Sequence, residues 1–364
     1  WRGCRSRYSA CCTMSTSTKS ANTGSVGKPH ALGENDFRQC LRVACGAALG
    51  FVISQLMNWN YGVFFTVFPM FLLGIVPVLN GHVVRQFLGN ALANCVEVSL
   101  VVGLTQHMPP VMLGFAFGLF YTRFRLMARG PFFLFGANGV LTLSILLHFA
   151  SYPEVDLADL FASNVAASLL AVAIAGLMHV VFPDITPRQP PPKMAKTPSR
   201  IRHETLIGAM TVTLSFAVFQ TFDLRDSLSA QMSTVLILFA LGYPGARLSA
   251  GKRAVGTLLG CNLAVFAQLL LYTQSQHFML VTLLYWLGLM LFSRMHILER
   301  AGSGVGFGGL TTLGILFGQS LSPHQDLIYS ALYRFSSMCV AMALTVLVMA
   351  LLDRLLNAWE PTRG

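Results

Sequence analysis

Apolar residues fall along this chain in long, nearly unbroken blocks, not at the one-face spacing of a surface helix. Six blocks cover residues 39–56, 61–78, 86–104, 108–121, 131–150 and 158–182, and six more begin near Thr205, Leu228, Ala254, Phe278, Gly302 and Ile328. A block of about 18 or more residues with few charges reads as a bilayer-spanning helix. In hydrocarbon only helices and closed barrels pair every backbone group, and the strict alternation of barrel strands is absent. The pattern therefore predicts an all-α integral membrane protein of about twelve transmembrane helices. The fourth, eighth and tenth blocks are short or interrupted, which leaves ten spans as the other count.

The polar stretches divide the chain. Residues 1–37 form a polar, disordered leader, of which 1–13 precede Met14 and read as a start-site misassignment; no apolar signal-peptide core precedes Gln39. A first membrane unit spans 38–183. A Pro-rich basic linker follows at 184–203, then a second unit at 204–354 and a tail at 355–364. The two units align on each other at shifts of 165–171 residues: Gln55 meets Gln220, Arg85 meets Arg253, Asn94 meets Asn262, and Tyr121-Thr122-Arg123 meets Phe292-Ser293-Arg294. With six spans each, such copies run parallel, related by an axis along the membrane normal.

Charge refines the picture. Only 11% of residues are charged, against roughly 25% in soluble domains. The net charge of +11 sits in short connections, the pattern of an oriented membrane protein and not of a nucleic-acid binder. With a cytoplasmic N-terminus, the connections on that side hold Arg85; Arg123, Arg125 and Arg129; Arg188, Lys193, Lys196, Arg200 and Arg202; Arg247, Lys252 and Arg253; and Arg294 and Arg300. The opposite connections hold only Arg225, beside Asp223 and Asp226, and an acidic loop with Glu154, Asp156 and Asp159. Both termini are thus expected in the cytoplasm. Arg85, Arg253, Arg123 and Arg294 are read as repeat anchors on the cytoplasmic face.

Catalytic signatures are missing. The sequence contains no GxSxG, no HExxH, no P-loop, and no zinc spacing among its nine histidines. The eight cysteines are scattered and read as small buried apolar residues. Neither enzyme activity, nor a cofactor, nor a metal is expected. Gly304-Val305-Gly306-Phe307-Gly308-Gly309 fits the dinucleotide fingerprint by letter only, because a membrane helix and not a strand adjoins it.

The transport candidates are polar or glycine positions inside apolar blocks. Glu97 lies twelve residues past Arg85, near mid-bilayer, where an ionised carboxyl is costly and faces an internal cavity or a hydrogen-bonding neighbour. Arg334 lies about two turns inside the twelfth block, either snorkelling to the interface or attracting an anion or Glu97 itself. Asn94 and Asn262 recur in both units, as interhelical hydrogen-bonding groups or as site residues. Gly136 and Gly139 stand 170 positions before Gly306 and Gly309. Such paired glycines mark either close helix packing or unwound backbone at a central site.

Two stretches resemble a known family. Arg253-x-x-Gly256-Thr257-x-x-Gly260 is similar to the R-x-x-G-T-x-x-G stretch of the fusaric acid resistance protein and aromatic acid exporter superfamily. Asn58-Trp59-Asn60-Tyr61, leading to Thr66 and Phe68-Pro69, is similar to the aromatic–Thr segment before it. The resemblance covers roughly residues 38–355 and implies a bacterial inner-membrane exporter of aromatic carboxylic acids, often working with a periplasmic membrane fusion protein. Where bigger members carry large cytoplasmic domains, this sequence has the linker at 184–203 and the tail at 355–364. The expected activity is proton-driven efflux of amphipathic or aromatic organic acids, with a passive organic-anion channel or a non-transporting scaffold as alternatives. The expected partners are a small anionic substrate, lipid, the fusion protein and further copies of the chain.

Overall fold

Helix signals at the ends of the blocks set the architecture. The computed structural model describes residues 32–362 apart from 77, 106–107, 153, 187–195, 225–226, 272–276, 300–303 and 320–326. Among the described residues there are twelve α-helices and no strand. In the first half these are α1 (Glu34–Leu56), α2 (Gly62–Ile75), α3 (Gly81–Thr105), α4 (Pro109–Arg129), α5 (Phe133–Ala150) and α6 (Leu157–Val181). In the second half they are α7 (Pro198–Thr221), α8 (Leu228–Leu238), α9 (Tyr243–Leu270), α10 (Phe278–Glu299), α11 (Val305–Gln319) and α12 (Leu327–Asn357). Asp156 caps α6 by accepting from the Ala158 amide at 2.9 Å, and Thr197 caps α7 with Pro198 at its first position. Gly130, at φ +92°, stops α4 in a conformation that an L side chain rarely adopts.

Eight of these helices are long and apolar enough to cross a membrane: α1, α3, α4, α5, α6, α9, α10 and α12. The short ones are α2, α8 and α11, which corrects the expectation that the fourth and tenth would be short; α4 has 21 residues and α10 has 22. Arginine is a good helix former, so α4 continues past Tyr121 through Arg123, Arg125 and Arg129. Hydropathy had assigned those residues to a connection.

The short helices are the inside of the protein. Residues 63–73 of α2 and all of α8 are buried, as expected of helices apolar all round. Fourteen residues of helix reach about 21 Å, short of a hydrocarbon core of about 30 Å. Such a helix persists because protein and not lipid surrounds it. Of the long helices α5 is also interior, with 15 of its 18 residues buried, while α12 shows Leu332, Val340, Leu344, Leu347, Leu351 and Leu355 outward.

Packing between the halves is reciprocal: α1 lies on α10 as α7 lies on α4, and α2 on α11 as α8 on α5. Polar bonds tie these inner contacts. Thr66 Oγ1 lies 3.0 Å from the Gly314 carbonyl, and Gln231 Nε2 donates to the Ser144 carbonyl at 3.1 Å.

Gly136, Gly139, Gly306 and Gly309 lie in regular α5 and α11, not in unwound backbone. Each is a close-approach position. A Cβ on Gly136 would fall 2.5 Å from the Arg123 carbonyl oxygen, and one on Gly309 2.2 Å from the Phe292 ring. Gly306→Ala would set a methyl 2.1 Å from the His296 backbone nitrogen. Overpacking should lower stability by about 1–3 kcal/mol, measured by unfolding in detergent micelles. Gly176→Ala, with nothing within 4 Å of the added carbon, should cost nothing.

Candidate functional site: a buried ion pair facing an apolar groove

Two glycines on α5 let α4 approach closely enough to press an arginine into the protein. The added-Cβ position of Gly139 lies 2.8 Å from Arg123 Cδ and 2.8 Å from Asn90 Oδ1, so only a hydrogen leaves space for both. Arg123 thus lies inside α4 with its side chain 5% exposed, whereas loop charge had assigned it to the cytoplasmic face. Its Nη2 donates to Glu97 Oε2 at 2.6 Å and to Asn94 Oδ1 at 3.1 Å. Its Cζ stands 4.6 Å from the centre of the Phe135 ring, a cation–π contact that adds favourable charge away from water.

A hydroxyl anchors the α3 side. Thr142 Oγ1 donates to the Asn138 carbonyl at 2.7 Å and accepts from Asn90 Nδ2 at 3.2 Å and from Asn94 Nδ2. One donor and two lone pairs are therefore all used. Asn94 in turn presents its oxygen to Arg123, so α3, α4 and α5 share one polar network. Asn90 Oδ1, Asn138 Oδ1 and Arg123 Nε are buried and make no hydrogen bond among the described residues. Thr142→Val keeps the shape and removes every bond of that hydroxyl. It should cost about 1–3 kcal/mol for the asparagine groups left unsatisfied, read as a lowered unfolding midpoint.

The network opens in one direction. Glu97 is 27% exposed and sits in the wall of a groove of 670 Å³ between α3 and α4. Leu100, Leu104, Val111, Phe115, Gly114 and Gly118 line the groove with it. A second groove, of 270 Å³, lies between α9 and α10 and is lined by Ala267, Leu270 and Gly288. These stand 170 positions after Glu97, Leu100 and Gly118. Leu313 and Phe317 of α11 also line this second groove, and no charged residue does.

The other expected site residues lie elsewhere. Asn262 is exposed and donates to the Leu258 carbonyl of its own helix at 2.8 Å, so it does not share the buried role of Asn94. Arg334 is half-buried on α12, within electrostatic reach of Cys261 on α9, while Glu97 pairs with Arg123. Arg85 is exposed and bonds the Gly81 carbonyl, whereas Arg253 is fully buried and donates to Thr311 Oγ1 at 3.0 Å; the two are not alike. Arg294 is exposed on α10, and Phe292 fills the space beside Gly309 that Arg123 fills beside Gly139. Sequence reasoning missed Asn90, Asn138, Thr142, Gly114 and Gly118. The signal available was spacing: Asn90 and Asn94, Asn138 and Thr142, and Gly114 and Gly118 are each four apart, on one face of a helix.

Fold and site together define a multi-pass helical membrane protein with an ion pair buried between three helices. A family described as a protein of unknown function (DUF2955) matches residues 39–178, which take in the whole ion-pair network. That family is uncharacterised, and the match lends no support to the fusaric acid resistance likeness. No curated protein and no solved structure matches the chain.

Proposed function

We propose that this protein is a secondary transporter that exports amphipathic or aromatic organic acids in exchange for protons. The observation that carries the reading is the buried Arg123–Glu97 pair between α3 and α4, whose carboxylate lies in the wall of an apolar groove. An arginine stays charged at any physiological pH, while a carboxylate does not have to. Glu97 and a substrate carboxylate therefore compete for Arg123: the closed pair holds the protein in place, and it opens either when a substrate anion takes the guanidinium and leaves the partly exposed Glu97 carboxylate to water, or when a proton neutralises Glu97. The substrate-bound and the protonated forms are alternatives, one moving outward and the other inward, so that each anion leaves in exchange for an entering proton. Asn94, Asn90 and Thr142 hold the guanidinium while its partner changes.

An inward proton and an outward anion both move positive charge inward. The membrane potential adds about 2.3 kcal/mol per charge per 100 mV to export. The reciprocal packing of the halves supports two parallel six-helix repeats. Only the first carries the coupling pair. Loop charge supports residence in the bacterial inner membrane with both termini inside.

Two experiments test this reading. Cells making the protein should clear a preloaded aromatic carboxylate faster than cells making Arg123→Gln, and a protonophore should remove the difference. A difference that survives the protonophore means a passive channel. For orientation, a reporter fused after Pro190 should be active only in the cytoplasm and one at Pro153 only outside. The opposite readout at Pro190 would break the two-by-six arrangement.

A further inference from the structure

We propose that His203 and Asp353 form a proton-operated latch, which holds the turn Glu360–Thr362 on the start of α7 while the pair carries a proton and releases it when the proton leaves. The inference stands apart from the transporter reading and rests on a count of donors. His203 is buried on α7, with Nδ1 2.9 Å from the Thr362 carbonyl oxygen and Nε2 2.9 Å from Asp353 Oδ1 on α12. A carbonyl and a carboxylate only accept, and a neutral imidazole has one N–H to give. Both bonds therefore form together only when the pair holds one further proton, as imidazolium beside carboxylate or as imidazole beside carboxylic acid.

The turn arrives ready-made. Thr362 Oγ1 donates to the Leu356 carbonyl at 2.7 Å and the Thr362 amide to the Trp359 carbonyl at 3.1 Å, so the chain curls back and sets one carbonyl against the ring. The charges around it do not stand in for the proton. On α7, Glu204 is taken by Lys196 Nζ at 2.6 Å and by Arg200 Nε at 3.1 Å, and Arg202 is exposed. Arg354 on α12, Glu360 in the turn, and Arg125 and Arg129 on α4 are exposed as well. Of the other helices packed on α7, α8 carries no charged residue, and α5 has His148, which meets Gln220 at the far end of α7.

The first half has the same join without the titratable group. There α1 packs on α6 as α7 packs on α12. Arg42 on α1 donates through both Nη atoms to Asp184, just past α6, and Asp184 stands 169 positions before Asp353. An arginine keeps its charge at any physiological pH, so that clamp is permanent. A histidine changes charge between about pH 5 and 8. The docked turn needs a proton that the released turn does not, so docking strengthens as pH falls and weakens as pH rises, by up to about tenfold per unit.

The test is hydrogen exchange of the full-length protein in phospholipid vesicles at about pH 6 and about pH 8, corrected for the pH dependence of the chemical step. Protection of the Ala358, Trp359 and Thr362 amides should be about tenfold or more lower at the higher pH. The Ile185 amide, which donates to Asn35 Oδ1 at 2.8 Å beside the arginine clamp, should keep its protection. Asp353→Asn offers an amide donor to the neutral ring, whose Nδ1–H still reaches Thr362, so the turn should be equally protected at both pH values. His203→Phe should leave the turn unprotected at both, with the amides of α2 protected as before. Four results would overturn the proposal: equal protection of the turn at both pH values in the wild type, the wild-type loss persisting in Asp353→Asn, an equal loss at Ile185, or a turn that stays protected in His203→Phe.

Discussion

Glu97→Gln is expected to reduce uphill, proton-driven transport to the level of vesicles without protein, while the chain still inserts and folds. The amide keeps the shape of the side chain, and its oxygen still accepts from Arg123 Nη2, which donates to Glu97 at 2.6 Å. What disappears is the group that exchanges a proton. A glutamine at this position stands for the protonated carboxyl, so Arg123 remains open to a substrate anion throughout the cycle. Exchange of one substrate anion for another should therefore survive in the variant, even though no gradient is built. Glu97→Asp, shorter by one methylene, should keep part of the activity with a displaced pH optimum. Gradient formation by the Gln variant at the wild-type rate would make Glu97 a packing residue.

The second large effect is on stability, and it depends on which partner is removed. Glu97→Leu leaves the guanidinium of Arg123, 5% exposed, without its counter-charge. Breaking a buried pair in this way costs about 3–5 kcal/mol. Arg123→Leu costs less, because the remaining carboxyl is 27% exposed and can be neutralised by a proton. Combining Glu97→Leu with Arg123→Leu should restore most of the lost stability, since an apolar pair of similar volume is often no worse than a buried ion pair. Transport should stay lost in the double variant. Unfolding midpoints of the single and double variants give the coupling directly. Additive losses would mean that the two side chains do not act as a pair.

Much of the fold was legible in the blocks. The block at 86–104 became α3 (Gly81–Thr105), and that at 158–182 became α6 (Leu157–Val181). The site was less legible, and Arg123 shows why. Arg123, Arg125 and Arg129 look alike in a charge tally, yet residues two apart on a helix point to nearly opposite sides. Arg125 and Arg129 are exposed while Arg123 is buried against a carboxyl 26 positions earlier in the chain. No local pattern announces a partner at that distance. The same limit affected the alignment of one half on the other. Matching letters paired Asn94 with Asn262, yet Asn94 is buried in the network and Asn262 is exposed on its helix. Asn90 lies against Thr142, and Gly260, 170 positions on, lies against Thr312. Glycines were visible in the sequence, but their meaning was not. Gly136 and Gly139 are filled by α4, and Gly114 and Gly118 are filled by nothing, a difference that only the packing reveals.

Uphill accumulation of naphthalene sulfonate is the most direct test of the central claim that the Arg123–Glu97 pair exchanges a proton for an organic anion. Vesicles holding the purified protein are made acidic inside, so that protons leaving through it draw the sulfonate in. The account predicts accumulation above the outside concentration by the wild-type protein, collapse on addition of a protonophore, and simple equilibration by Glu97→Gln. Accumulation by Glu97→Gln equal to the wild type, or equilibration without accumulation by the wild type itself, would contradict it.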